Sequence, residues 1–198
     1  MQRRLFSRFR LKVVAIRRMA YTYDRLLKTL LSALDAENDR QFTRSLRLFL
    51  LKHGSSAWRS ATSAHPLGDE LNDHAHACMN AHFQKSRGYL YVAANPMLEG
   101  FVKVGTTTLP PNKRMKSLTS AGVVGEFFLL KSWFVHDRFA IEALAHRHLA
   151  GPLRHKEFFK VHWEVAFTAV EQAISDYGIK MDAFLPCSLD ASVTEAVA

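Results

Sequence analysis

Between Gly88 and Gly105 the chain reads Gly-Tyr-Leu-Tyr-Val-Ala-Ala-Asn and then, after a turn, Phe-Val-Lys-Val-Gly. These are two short strands of β-branched and aromatic residues, joined through Asn95-Pro96 and Gly100. No other segment constrains the fold as sharply. A third strand is expected over Phe127–Val135, nearly continuous in apolar residues and broken only by Lys131 and Ser132. Helices are expected between and after these strands, over Asn112–Leu118 and from His136-Asp137 onward, with Asp137 as a cap. The expected class is α+β: a small three-stranded antiparallel sheet flanked by helices and preceded by a basic helical region.

That amino-terminal region has a different pattern. From Leu5 to Leu34 apolar residues recur every three or four positions, as on amphipathic helices. Asp35-Ala-Glu-Asn-Asp39 breaks the pattern, and Phe42–Leu51 resumes it. Small and polar residues with Pro66 and Gly68 then suggest a linker. The expected organisation is a basic helical region over 1–53, a linker over 54–68, a connecting helix over 69–85, a compact α/β module over 86–178 and a tail over 179–198. The 48% of hydrophobic residues are enough for a core. No apolar run approaches the roughly 20 residues that span a bilayer. Cys78 and Cys187 are the only cysteines, too few for a disulfide framework, which fits a reducing compartment.

Charge divides the chain as clearly as patterning does. Through Lys52 there are 13 Lys and Arg against 4 Asp and Glu; the remainder holds 14 against 14, so the formal charge of +9 sits entirely in the first part. A basic arm before a neutral module points to a polyanion, because Lys and Arg release the counterions condensed on phosphates. Arg3, Arg4, Arg8, Arg10, Arg17 and Arg18 are the expected nucleic-acid contacts of the arm. Two other readings stay open. The arginines can simply solvate a helix face, or the acid-free segment Met1–Tyr23 can be an amphipathic mitochondrial presequence. Scarce Ser and Thr, and periodicity that continues past Leu26, argue against the presequence. The expected compartment is the cytoplasm or the nucleoid.

Taken in order, the module's motifs resemble the GIY-YIG nuclease superfamily, most closely its T5orf172/MUG113-type branch. Gly88-Tyr89-Leu90-Tyr91 stands for the first signature, with Tyr91 as the motif tyrosine. Lys103-Val104-Gly105 stands for the second, with lysine where the superfamily at large has tyrosine. Asn112-Lys-Arg114 matches the helix that carries the family arginine, and Ala140-Ile-Glu142 the helix that carries the metal-binding glutamate. Lys156-Glu157-Phe158-Phe159 matches the closing Glu-Phe-Phe segment. One departure is Gly151-Pro-Leu-Arg154-His155, where many members carry an asparagine or similar polar residue.

The resemblance implies a divalent-metal-dependent endonuclease acting on DNA, and the residue types suit that chemistry. Glu142 is a hard oxygen ligand for Mg²⁺ or Mn²⁺. Arg114 offers a planar fork of donors to phosphate oxygens. Tyr91 serves as base, or orients the attacking water, if its phenol is pulled below its usual value of about 10, and Lys103 on the adjacent strand is a candidate for the cation that would do so. His146, one turn after Glu142, is the alternative base. Lys113 and Lys116 join the arm as expected nucleic-acid contacts, and a lone nuclease module often needs a second copy to cut both strands, which makes a homodimer one arrangement. The alternative is a catalytically degenerate module that only binds nucleic acid. Separately, His74, Cys78 and His82 fall on one helical stripe, a weak pattern for zinc that reads first as a polar, partly buried face.

Overall fold

The computed structural model describes residues 23–119, 124–151 and 154–185. The six arginines of the arm, Arg3 to Arg18, lie outside the described residues, as do Cys187 and the rest of the chain beyond it. What is described divides into two units: residues up to Asn80 together with Lys180–Phe184, and Ala81–Ile179.

The first unit is helical. Its elements are α1 over residues 23–35, α2 over Asp39–Ser63 and α3 over Gly68–Ser86, the last turns of α3 belonging to the second unit. Asn38 starts α2 by accepting the Gln41 backbone N–H on its side-chain oxygen at 3.0 Å, which satisfies a donor that the first turn leaves open. Phe42, Leu46, Phe49 and Leu50 then repeat at helical spacing, and all four are completely buried. Trp58 is buried with them, its indole N–H donating to Asn72 Oδ1 at 3.2 Å. Of the segment expected as a linker, residues 54–63 are therefore helix and 64–67 a turn before α3. α2 kinks at Gly54, where φ is +81°, and continues to Ser63. Ser55, Ala61 and Thr62 are buried, so the small residues of this stretch serve close packing rather than solvation. The expected tail also begins later than residue 179, since Met181 and Phe184 are core residues.

The second unit carries the mixed α+β architecture. β1 (Gly88–Ala94) and β2 (Val102–Thr107) form the expected antiparallel hairpin, with Tyr91 opposite Gly105 and Ala93 opposite Lys103. The turn forms because Asn95 accepts the Met97 N–H at 2.9 Å and donates to the Val124 carbonyl at 2.9 Å. α4 (Pro111–Leu118) leads to β3 (Phe128–Val135), which pairs antiparallel with the other edge of β1. α5 (Arg138–His148), β4 (Arg154–His155), β5 (Phe158–Phe159) and α6 (Trp163–Met181) follow. The sheet has five strands in the order β3-β1-β2-β5-β4, not three, because the two-residue hairpin β4–β5 extends it beyond β2.

Alternation along β1 and β2 sorts side chains to two faces. Tyr91 and Ala93 pack with Met115 of α4 and Phe127, while α5 packs on β1 and β2 through the buried Ile141 and Ala145. Asp137, fully buried, caps α5 through the Ala140 N–H at 3.2 Å and bonds His82 at 3.0 Å and the Tyr177 hydroxyl at 3.1 Å. Several hydrogen bonds on one buried carboxylate offset its desolvation. Among the described residues no helix is long and apolar enough to cross a membrane.

Candidate active site

The expected site residues gather along the part of β2 that leaves the ladder. β5 pairs only with Val102 and Lys103. Beyond them, the Val104 N–H donates to the Glu157 carbonyl at 3.0 Å, and the Val104 carbonyl accepts from His146 Nε2 at 3.0 Å. Side chains from both faces of the sheet can therefore approach one another around this open edge.

Tyr91 is buried, and its ring lies across Gly105 on the neighbouring strand. A Cβ on Gly105 would come within 2.8 Å of the Tyr91 hydroxyl and 3.0 Å of the carbon that bears it. Glycine at 105 is thus a consequence of the tyrosine at 91. Arg114, from α4, hydrogen-bonds the Tyr91 hydroxyl. Burial is the largest influence on this phenol and raises it above its ordinary value, with help from the charges of Glu157 and Glu142 and against the pull of Arg114. The expectation that Lys103 lowers it is overturned. Lys103 is buried and ion-paired with Glu157 Oε2, its Nζ lying 5.1 Å from the centre of the Phe158 ring. The cation that meets Tyr91 is Arg114.

Glu142, half-buried on α5, accepts from the Thr106 hydroxyl at 3.4 Å. Burial first, and the charge of Glu157 second, push its carboxyl up; Thr106, Lys103 and Arg138 oppose them. Burial also pushes the Glu157 carboxyl up, but Lys103, His146 and Arg114 together bring it below the ordinary range. His146 lies one turn beyond Glu142 with its ring 5.0 Å from that of Phe159. A carbonyl can only accept, so Nε2 of His146 carries the proton in its bond to Val104. That nitrogen is no base in this arrangement. Arg114 also reaches Ser117 Oγ at 3.4 Å, and its Nε is a buried donor with no hydrogen-bond partner among the described residues. Lys113 and Lys116 are exposed on the same helix.

The structure thus brings Tyr91, Lys103, Arg114, Glu142 and His146 into one electrostatically coupled neighbourhood and adds Thr106 and Glu157. Neither addition stood out as a site residue. Glu157 was visible in the Glu-Phe-Phe segment, but its partnership with Lys103 depends on β5 pairing with β2, and a two-residue strand has no periodicity to read. Glu142 and Thr106 offer hard oxygen donors for a divalent cation, in a place where burial and a second carboxylate already disfavour an unpaired charge. A different set of metal-ligating groups comes together in the helical unit: Asp39, His74 and Cys78, with ligand atoms within 4.8 Å of one another. His82, expected on the same stripe, is instead bonded to Asp137.

Residues 88–174 match the T5orf172 domain family, a span that contains every residue of the neighbourhood just described. No curated protein and no solved structure matches the chain.

Proposed function

We propose, from the match of residues 88–174 to the T5orf172 domain family, that this chain is a divalent-metal-dependent endonuclease of the GIY-YIG-like group that hydrolyses phosphodiester bonds in DNA. The observation that carries the reading is that the Tyr91 hydroxyl, hydrogen-bonded by Arg114, lies within electrostatic reach of the half-buried Glu142 and of Glu157. A phosphodiester resists attack because its oxygens repel an anionic nucleophile, so positive charge and aligned donors must meet it. Arg114 supplies both, and its Nε is a donor in want of an acceptor. Glu142, steadied by the Thr106 hydroxyl, would hold Mg²⁺ or Mn²⁺. When bound, such an ion neutralises phosphoryl charge and acidifies a coordinated water.

Tyr91 keeps its proton in this state, because its phenol is raised. Its role in the proposal is to orient the attacking water through the hydroxyl that Arg114 fixes, rather than to take a proton from it. Lys103 and Glu157 neutralise each other, leaving Lys103 as a positioning residue that holds β5 and the Glu157 carboxylate against β2. The exposed Lys113 and Lys116, with the arginines of the amino-terminal arm, would supply counterion-releasing contacts to the DNA backbone.

A second reading, a degenerate module that binds DNA without cutting it, is favoured by two observations. The Tyr91 phenol is raised rather than lowered, and Lys103 is already paired. Plasmid nicking by wild type and Glu142→Ala in Mg²⁺, Mn²⁺ and EDTA separates the two. Metal-dependent nicking that falls at least a hundredfold in the variant supports the endonuclease. No nicking in any metal, beside DNA binding that Glu142→Ala leaves intact, establishes the binding module instead.

A further inference from the structure

The contact geometry of Asp39, His74 and Cys78 sits outside the T5orf172 domain and is explained by nothing in the proposed reaction. We propose that these three side chains form a zinc-class metal site that fastens the start of α2 to the middle of α3. Two observations carry this. His74 Nε2 lies 3.2 Å from Asp39 Oδ1 and 3.5 Å from Cys78 Sγ. A tetrahedral zinc with metal–nitrogen and metal–oxygen bonds of about 2.0–2.1 Å and a metal–sulfur bond of about 2.3 Å sets its ligands roughly 3.3 Å and 3.5 Å apart. Both separations match, and the ligand atoms of Asp39 and Cys78 lie within 4.8 Å of each other.

Hydrogen bonding accounts for the arrangement less well. A protonated Nε2 has one hydrogen to share between Asp39 Oδ1 and Cys78 Sγ, and sulfur is a weak acceptor. A metal ion takes the lone pair of the imidazole and serves all three groups together.

The sequence places these groups for the purpose. His74 and Cys78 are four residues apart on α3, so they project from one helix face. Asp39 and Thr43 have the same spacing on α2. Thr43 hydrogen-bonds Cys78, so a side chain of α2 meets the sulfur on α3 beside His74. Cys78 is buried and Asp39 exposed, so the site is open to solvent on one side. A thiolate and a carboxylate together cancel the charge of a divalent cation. Soft sulfur and imidazole select zinc-like ions over Mg²⁺, so this site and the Glu142 neighbourhood would take different metals.

The test is a titration of the full chain with Co²⁺, whose absorption reports both thiolate ligation and tetrahedral geometry. One equivalent should bind with a thiolate-to-cobalt band and tetrahedral d–d intensity, both erased by added Zn²⁺. Cys78→Ser should lose the thiolate band, whereas Cys187→Ser and Glu142→Ala should keep it. His74→Gln and Asp39→Asn should each weaken affinity by about tenfold or more. A wild-type chain without the thiolate band overturns the proposal, and so does a band that follows Cys187 rather than Cys78. If Cys78→Ser does not fold, X-ray absorption at the zinc edge of the wild-type chain decides: one sulfur in the shell supports the site, and a shell of nitrogen and oxygen alone refutes it.

Discussion

The two units solve the same problem, burying apolar surface, by routes that differ in how far apart the cooperating residues are. In the helical unit Phe42, Leu46, Phe49 and Leu50 share one face of one helix within nine positions. In the second unit Tyr91, Gly105, Arg114, Glu142 and Glu157 span the domain and meet only because strands pair in one register. Local spacing builds the first kind of core, and pairing between distant segments builds the second. A polar site can be assembled at the open end of a strand in the second kind, because the ladder stops while the covering helices continue.

Removing a large side chain from the locally built core should cost the most. Trp58→Ala deletes a fully buried indole and leaves Asn72 without its donor, and it is expected to destabilise the protein by about 3–5 kcal/mol. Chemical denaturation checks it. A midpoint that does not move would mean that the periodic face of α2 is not what holds the helical unit together.

A smaller effect is expected where the second unit depends on register. Gly105→Ala puts a methyl group where the Tyr91 hydroxyl already lies, so tyrosine or strand must shift, at a cost of about 1–3 kcal/mol. Tyr91→Phe removes the nearer of the two clashing atoms and keeps the ring carbon at 3.0 Å. The double variant should therefore be more stable than the sum of the single changes implies, by about 0.5 kcal/mol or more. Strict additivity in the double-mutant cycle would show that the two residues do not face each other across β1 and β2.

This contrast also decides what was legible in the sequence. The hairpin from Gly88 to Gly105 could be read because aromatic and β-branched runs, and a loop with Asn95-Pro96 at its start and Gly100 at its end, carry their own signals. The helical face from Phe42 to Leu50 could be read for a similar reason. Residues 54–63 look like a linker because Ser, Ala and Gly serve equally for solvation and for close helix packing. Phe158-Phe159 was too short to show a period, so a five-stranded sheet looked three-stranded. The positions of Tyr91, Arg114 and Glu142 followed from motif order. Which cation meets which anion did not, because the Lys103–Glu157 pair joins residues brought together only by β5.

Glu142 has a raised carboxyl, so the folded state holds its proton more tightly than the unfolded chain does. Above the ordinary value of 4.5, the unfolded chain gives up that proton before the folded one, and stability falls as pH rises through the window up to the folded value. Glu142→Gln should match wild type near pH 4 and be the more stable of the two at neutral pH. Denaturation midpoints across that range test the sign; a difference that does not depend on pH would mean that Glu142 is not strained by its surroundings. Glu157 runs the other way, since its lowered carboxyl adds stability that is lost as pH falls through its folded value. Opposite slopes in one site are what a residue kept for function and a residue kept for structure should show.

The smallest effect belongs to the most local contact. Asn38 holds a single N–H of the first turn of α2, and Asn38→Ala is expected to cost about 1 kcal/mol. Its value lies in where the loss appears. Asp39 follows Asn38 directly, so fraying of this turn would move Asp39 away from His74 and Cys78 while leaving β2 and its neighbours unchanged. Asn38→Ala should therefore weaken Co²⁺ binding at the helical cluster and leave DNA nicking as in wild type. Equal loss of both would show that fraying at the start of α2 is not confined to the turn that carries Asp39.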